Sequence, residues 1–242
     1  MLRTVWFFLV LLVSTVWHGG RALVAGLLGV PQVTGGVYDD AGRRWAQSAL
    51  WASGVPYRLH GLEHVPRNSP VVFASNHQSW FDIFLVLAAT PGSVRFVAKK
   101  ELARVPLLGG AMRAAGHIYI DRQNLQAAFE AYQEAAGTIR TGISAVVFPE
   151  GTRSRTGELL PFKKGPFVLA IAAGVPIVPA YCAGTFTLMP KGSRRISPHP
   201  IALIFGTPIS TQGMTYEDRE PLMEQTRRAV ERLRVDAAKV LG

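Results

Sequence analysis

The sequence predicts an α/β fold, with a mainly parallel central sheet flanked by helices and a hydrophobic N-terminal helical segment that anchors the chain to a membrane. Short apolar runs such as PVVFAS and AVVF, typical of buried strands, alternate with longer stretches of helical periodicity. The first 30 residues are mostly apolar, and the 242 residues suffice for one sizeable core plus an appendage. We predict an anchoring region over 1–54 and an α/β domain over 55–242.

The N-terminal segment from Thr4 to Val30 carries one fixed charge, Arg21. It permits three interpretations. A signal peptide would use Arg3 and the apolar run that follows. A single membrane span would let Arg21 reach the interface. A helix broken at Gly19-Gly20 would dip into one leaflet. The last two both place the chain at a membrane.

The next segment, YDDAGRRWAQSALWASG, predicts a helix with Asp39 or Asp40 as its N-cap. Its Trp45 and Trp51 suit either a bilayer interface or the core, and the pattern favours neither.

Strands and helices then alternate from Pro56 to the C-terminus. The predicted strands lie in YRLHGLEHV, PVVFASN, SVRFVAKKEL, HIYI, AVVFPEGTRS, VPIVPAYCAG and IALIFGTPI. The predicted helices are SWFDIFLVLAAT, GGAMRAAG, LQAAFEAYQEAAGTIRTG, KGPFVLAIAAG and Tyr216 to Val240. The last helix is acidic at its start and basic towards its end, as the helix macrodipole favours.

Three polar clusters follow three of these strands: NHQSWFD, IDRQN and PEGTRS. Functional groups of such sheets gather outside the carboxyl ends of the strands. A solvated loop explains each cluster singly but explains all three together less well. We therefore expect a site at this edge.

Within the first cluster, Asp82 can accept a hydrogen bond from His77 if the helix begins near Ser79 and Asp82 lies about one turn inside it. Such a bond fixes the imidazole tautomer and leaves the other nitrogen free as a general base. Ser79 lacks the Gly-x-Ser-x-Gly elbow of a nucleophile, and Cys182, in an apolar strand, is interpreted as core. The base would thus activate a hydroxyl of the substrate. The alternative is a histidine that only stabilises the helix start.

The chain has 26 Lys and Arg against 16 Asp and Glu, a net charge of +10. Such a balance indicates anionic partners, and the 48% hydrophobic content favours lipid over nucleic acid. Arg153, Arg122, Lys99 and Lys100 could bind an oxyanion such as phosphate. Lys163 and Lys164 are interpreted as solvated. The single cysteine excludes an intramolecular disulfide and a cysteine metal cluster.

Taken together, these residues resemble the glycerolipid acyltransferase family, in particular 1-acyl-sn-glycerol-3-phosphate acyltransferases. The resemblance rests on four ordered blocks: NHQSWFD over 76–82, GHIYIDR over 116–122, FPEGTRS over 148–154 and VPIVP over 175–179. The second block departs slightly, since His117 stands where members of the family often have a small or apolar residue. A histidine there could complicate a pH profile.

The resemblance implies that His77 deprotonates the free hydroxyl of a lysophospholipid, oriented by Asp82, without an acyl-enzyme. The implied acceptor site consists of Arg122, Glu150, Gly151, Thr152 and Arg153, with a contribution from Lys100. The implied acyl donor is acyl-CoA or acyl-carrier protein, with no metal and no other cofactor. The implied location is the inner membrane, in contact with its lipids and with the active site on the cytoplasmic face.

Three other functions remain open from the sequence. Related acyltransferases use lyso-ornithine lipid or glycerol-3-phosphate as acceptor. A hydrolase would release fatty acid without any acceptor. A non-catalytic membrane-binding module would not need His77.

Overall fold

Seven strands form one sheet in the computed structural model, which describes residues 2–241. They are β1 (Tyr57–His60), β2 (Val72–Ser75), β3 (Val94–Lys99), β4 (Ile118–Ile120), β5 (Ser144–Val147), β6 (Ile177–Ala183) and β7 (Ile201–Phe205). The strand order is β1-β7-β6-β2-β5-β3-β4, and every neighbouring pair is parallel except β6 with β7. The predicted α/β class with a mainly parallel sheet is confirmed.

Helices cover both faces of the sheet. They are α1 (Leu2–Ser14), α2 (Gly20–Leu27), α3 (Val37–Ser53), α4 (Phe81–Ala89), α5 (Leu108–Ala114), α6 (Leu125–Arg140), α7 (Gly165–Ala173), α8 (Thr185–Leu188) and α9 (Arg219–Leu241). One face packs against α1, α3 and α4, and the other packs against α6, α7 and α9. Short 3-10 turns occupy Leu62–His64, Lys100–Arg104 and Tyr216–Asp218.

The central strands are buried on both faces, which explains their continuous apolar runs. Phe73 of β2 lies in register with Val146 of β5 and Val178 of β6, and all three belong to the core under α4. The preceding residues, Val72 and its β5 partner Ala145, point into the opposite core. This alternation follows from the two-residue period of a strand.

The N-terminal helix continues through Gly19 and Gly20, which both have ordinary right-handed helical angles. The interpretation of a helix broken at this pair is therefore wrong. A single π-helical turn over Thr15–Gly19 joins α1 to α2, and backbone hydrogen bonds persist across it. The joined helix, Leu2–Leu27, is long and apolar enough to cross a membrane by length and composition. Only 17% of its apolar stretch is buried against the rest of the protein, which indicates association with a membrane.

The start of α3 differs from the prediction. The N-cap is Gly36, and Asp39 and Asp40 lie inside the first helical turn. Asp39 Oδ1 pairs with the buried Arg95 of β3 at 2.6 Å, and Asp39 Oδ2 accepts the Gly35 N–H at 2.8 Å, just before the helix. Asp40 pairs with Arg21 at 3.0 Å.

The two tryptophans of α3 match different interpretations: Trp45 packs against the core, and Trp51 lies at the surface. Trp45 packs edge-on against Phe84 with ring centroids 5.0 Å apart, and its indole N–H donates to Thr15 Oγ1 at 2.9 Å. Trp51 is 68% exposed and lies edge-on to Trp6, on the same exposed side as the N-terminal helix.

The sheet topology brings the three polar clusters to one edge. Strands β2, β5, β3 and β4 are adjacent and parallel, so their carboxyl ends point the same way. The loops after β2 and β5 are immediate neighbours. The loop after β4 lies two strands further along.

Phe7 anchors α1 in the core, and replacing it tests that packing. Its ring is fully buried and lies 5.3 Å from Phe81 and 6.1 Å from Phe84, centroid to centroid. We expect Phe7→Ala to lower the free energy of unfolding by about 3–5 kcal/mol, the usual effect of truncating a buried aromatic ring. Denaturant unfolding in detergent would measure it. The control is Leu9→Ala, whose side chain is 53% exposed. Equal stabilities of the two variants would mean that α1 does not belong to this core.

Candidate active site

One carboxylate oxygen organises the loop after β2. Asp82 Oδ2 accepts hydrogen bonds from His77 Nδ1 at 2.8 Å, from the Gln78 N–H at 2.6 Å and from the Ser79 N–H at 2.8 Å. The Asp82 side chain is fully buried. A carboxylate in such a place needs hydrogen-bond donors to offset its lost hydration, and these three supply them.

The helix that carries Asp82 begins later than predicted. Its first residue is Phe81 rather than Ser79, so Asp82 is the second residue and does not lie a full turn inside. Ser79 Oγ accepts a hydrogen bond from the Phe81 N–H at 3.2 Å, and Asp82 Oδ2 accepts one from the Ser79 N–H. These reciprocal bonds resemble a capping box. The first turn is also where the helix dipole favours a negative charge.

The surroundings of His77 fix its tautomer. Asp82 Oδ2 already accepts from two amides, so Nδ1 of the imidazole donates and carries the proton. Nε2 then presents a lone pair and has no hydrogen-bond partner among residues 2–241. The ring stacks on Phe148, with centroids 4.0 Å apart and planes 12° apart, and 15% of the side chain is exposed. The ring is therefore held with a free nitrogen near the surface, an arrangement that can serve as a general base.

Glu150 braces the same loop from the neighbouring strand end. Its Oε1 accepts the His77 N–H at 2.6 Å and its Oε2 accepts the Leu160 N–H at 3.0 Å. The Ser154 N–H donates to the His77 carbonyl at 2.8 Å. Both backbone groups of His77 are thus tied to the loop after β5. The resemblance places Glu150 in the acceptor site, whereas in the structure both of its oxygens bind backbone amides of the protein.

Burial raises the pKa of Glu150 to about 7, although hydrogen bonds from the Leu160 and His77 amides act in the opposite direction. The nearby Asp82 carboxylate raises this pKa further. The carboxyl of Glu150 therefore loses its proton near neutrality, well above the ordinary value of 4.5.

Asn76 and Ser79 attach the loop to more distant segments. Asn76 Oδ1 accepts the Cys182 N–H at 2.7 Å, and its Nδ2 donates to the Cys182 carbonyl at 3.1 Å. The side chain thus continues the pairing between β2 and β6. Ser79 Oγ donates to the Met189 carbonyl at 2.7 Å. Ser79 is fully buried and its hydroxyl is occupied, so it is placed to support the loop and not to attack a substrate.

The structure also agrees with the interpretation of Cys182 as core. Its side chain is fully buried in β6, and burial raises the pKa of the thiol well above its ordinary value. A buried thiol of this kind is inert, because the thiolate is the reactive form. Within residues 2–241, no group of three or more His, Cys, Asp and Glu side chains is arranged to hold a metal ion.

The loop over 151–154 carries cations on both of its sides. Arg122, from the loop after β4, donates to the Gly151 carbonyl. The guanidinium of Arg153 lies over the exposed ring of Trp80, 5.6 Å from its centroid. Gly151 itself has a φ of +71°, a left-handed conformation that favours glycine in the turn. The predicted basic residues of the second and third clusters are thus brought together.

Thr152 and Lys100 occupy less central positions. Thr152 is exposed, and its Oγ1 accepts a hydrogen bond from Lys191 Nζ at 2.8 Å. Lys100 is exposed and forms an ion pair with Asp121 at 2.5 Å, so Asp121 offsets its charge.

His117 does not behave as the sequence suggested. It lies just before β4, where its Nδ1 accepts the Phe96 N–H at 2.9 Å. Burial lowers the pKa of His117 to about 3, and the Arg95 guanidinium lowers it further. The imidazole therefore stays neutral around physiological pH and does not complicate a pH profile there.

The family model for acyltransferases matches residues 56–183, more than half of the chain. The chain belongs to the acyltransferase family. The matched region of this acyltransferase chain includes all four sequence blocks in full: those around His77, Arg122 and Glu150, and the VPIVP block that leads into β6.

Known proteins similar to this acyltransferase chain carry one recurring name. The 1-acyl-sn-glycerol-3-phosphate acyltransferase of Limnanthes douglasii is 41% identical over 169 residues, 69% of this chain and 59% of that protein. The alpha form from Homo sapiens is 35% identical over 178 residues, 73% of this chain and 63% of that protein. The chain thus spans less than two thirds of the length of these two relatives.

A solved structure matches over nearly the whole length. The crystal structure of the 1-acyl-sn-glycerophosphate (LPA) acyltransferase PlsC from Thermotoga maritima superposes with a TM-score of 0.75 at 28% identity. The match covers 96% of this acyltransferase chain and 95% of that one.

Sequence reasoning missed three residues of the site. The roles of Phe148 under the His77 ring and of Trp80 under Arg153 were not predicted, although both lie within the recognised blocks. Lys191 was not considered at all, because it lies about 40 residues beyond the loop that it contacts and outside every block.

The raised pKa of Glu150 predicts how stability depends on pH. The folded state holds the proton more tightly than the unfolded state, so the free energy of unfolding falls as pH rises from 4.5 to about 7. Below pH 4.5 and above about 7 this contribution is constant. We expect Glu150→Gln to remove the fall, so that its stability relative to wild type increases by about 3 kcal/mol across that window. Denaturant unfolding at a series of pH values would measure the difference.

The matched control for this measurement is Glu134→Gln, an exposed glutamate on α6. Its stability relative to wild type is expected to stay level with pH. If the stability of Glu150→Gln relative to wild type also did not change with pH, the assignment of a buried carboxyl that ionises near neutrality would be contradicted.

Proposed function

We propose that this chain transfers a fatty acyl group from an acyl thioester to the free sn-2 hydroxyl of 1-acyl-glycerol-3-phosphate, giving phosphatidic acid. The observation that carries the proposal is the clamp of His77 Nδ1 by buried Asp82, which leaves Nε2 free beside a cationic loop. The names of the relatives support the choice of acceptor.

The proposed chemistry uses His77 as a general base. Nε2 takes the proton of the acceptor hydroxyl as its oxygen attacks the thioester carbonyl. Asp82 stabilises the imidazolium that forms. The tetrahedral intermediate then collapses: the C–S bond breaks, the new ester remains on the lipid, and the imidazolium gives its proton to the thiolate. No acyl-enzyme forms, which is consistent with the occupied hydroxyl of Ser79 and the buried thiol of Cys182.

The proposed acceptor site lies on the loop over 151–154. Arg153 and Arg122 would bind the phosphate through charged hydrogen bonds, and Thr152 and Gly151 would border the glycerol. Glu150 would act on the acceptor indirectly, by holding this loop against His77. Lys100 would add positive charge at the periphery.

The proposed donor is acyl-CoA or acyl-carrier protein, and the reaction needs no metal and no further cofactor, because a thioester is already activated for attack. We propose that the exposed apolar side of Leu2–Leu27 lies in the inner membrane, in contact with its lipids. The active site would then face the cytoplasm, where the soluble donors are found.

Thiol release from acyl-CoA, with and without 1-acyl-glycerol-3-phosphate, tests the proposed function. We expect release by wild type to depend on the acceptor. His77→Ala is expected to lower the rate by about 10²–10⁴-fold, the usual contribution of a general base. The control His60→Ala removes an exposed histidine of β1 and is expected to leave the rate unchanged.

Three results would contradict the proposed function, each in a different part. Release at the same rate without an acceptor would indicate a hydrolase. Full activity of His77→Ala would exclude the general-base mechanism. A wild type that acylates lyso-ornithine lipid or glycerol-3-phosphate but not 1-acyl-glycerol-3-phosphate would keep the mechanism and change the acceptor.

A further inference from the structure

Lys191 reaches the loop over 151–154 from an unexpected part of the chain. It lies in the long connection between β6 and β7, after α8. Its Nζ donates to Thr152 Oγ1 at 2.8 Å and to the Arg153 carbonyl at 3.2 Å. Both acceptors are uncharged. Within residues 2–241 no carboxylate lies within ion-pair distance of Lys191, so its charge is not offset.

Arg153 is in the same situation. Its guanidinium lies over Trp80, and it forms no ion pair within the described part of the chain. Lys191 and Arg153 thus bring two cations to the loop over 151–154, and neither forms an ion pair within the described residues. A bound phosphate dianion would give both cations an ion-pair partner.

The position of Lys191 is fixed by contacts on either side of it. Two residues before it, the Met189 carbonyl accepts the Ser79 hydroxyl at 2.7 Å, which ties this connection to the loop that holds His77. After it, the Ser193 N–H donates to the Pro190 carbonyl at 3.0 Å and closes a turn around Lys191. The backbone that carries Lys191 is therefore held beside the loop of His77.

We propose that Lys191 is a further substrate-binding residue that binds the phosphate monoester of the acceptor lipid together with Arg153. This rests on the proposed function. The acceptor is favoured over the phosphates of acyl-CoA because its phosphate and its reacting hydroxyl are on neighbouring carbons. A group that binds this phosphate must lie close to His77, and the loop over 151–154 is hydrogen-bonded to the His77 backbone.

The test compares Lys191→Gln, Lys191→Arg and the control Lys239→Gln, which removes an equal charge from an exposed lysine on α9. Two quantities are measured for each: the Kd for 1-acyl-glycerol-3-phosphate in detergent, and the KM values for acceptor and donor. We expect Lys191→Gln to raise the Kd and KM for the acceptor about tenfold or more, the effect of one charged hydrogen bond. The KM of Lys191→Gln for acyl-CoA is expected to stay unchanged. Lys191→Arg is expected to retain most of the affinity for the acceptor, and Lys239→Gln is expected to match wild type.

A phosphate-free lipid separates direct binding from a structural role. Binding of 1-acyl-glycerol, which lacks the phosphate, should be equally weak in wild type and Lys191→Gln. A variant that loses affinity for both lipids in the same proportion would indicate a disturbed loop and would overturn the proposal.

The binding and kinetic measurements can contradict the role of Lys191 and the proposed function separately. If wild type turns over and Lys191→Gln binds the acceptor as wild type does, the proposal is wrong and the proposed function stands. If wild type binds the phosphorylated lipid but does not transfer acyl groups, and Lys191→Gln loses that binding, the proposed function is wrong and Lys191 remains a phosphate-binding residue. A rise in KM for acyl-CoA alone would overturn the assignment to the acceptor.

Discussion

The arrangement of the site depends on one buried oxygen atom, Asp82 Oδ2. It accepts the imidazole N–H of His77 and two consecutive backbone amides, so it shapes the turn into α4 as well as orienting the ring. Because the carboxylate is fully buried, removing any one donor leaves a costly charge less well satisfied. The same atom therefore fixes the backbone, the tautomer and the direction of the free nitrogen.

The parallel sheet makes this local arrangement useful. Since β2 and β5 are adjacent and parallel, the histidine loop and the loop over 151–154 leave the sheet side by side. Glu150 and Ser154 then join them through both backbone groups of His77. His77 and a cluster of cations thus share one hydrogen-bonded support. Under the proposed function, this support limits the reorganisation needed when an anionic lipid binds. Under the proposed function, the apolar helix Leu2–Leu27 would keep this site near the membrane that holds such lipids.

Much of this could be predicted from the sequence, because the informative signals are local. The apolar runs predicted the strands, and the spacing of His77 and Asp82 predicted the contact between them. Predictions failed where a residue far away in the sequence determines the contacts of a side chain. Asp39 has the right chemistry for an N-cap, but its Oδ1 pairs with Arg95, which lies 56 residues away in the sequence. His117 seemed able to titrate until its burial against β3 was visible. Glu150 looked free for substrate, and only the fold reveals that two amides occupy it. Lys191 gave no local signal, since its importance depends wholly on the loop it contacts.

The most direct test of the central claim is the rate of thiol release by Asp82→Asn at saturating acceptor and donor. The asparagine side chain is neutral, so the imidazolium of His77 should lose its stabilisation. The NH₂ group of the asparagine can also donate to Nδ1, which would favour the other tautomer of the imidazole. We predict a fall in kcat of about 10³–10⁴-fold, the size seen when an Asp–His pair of this kind is broken. Denaturant unfolding should show some loss of stability but a fully folded variant under the assay conditions, and the KM for the acceptor should remain close to that of wild type. A kcat within about tenfold of wild type would contradict the account, because it would mean that His77 does not need Asp82 to act as a base.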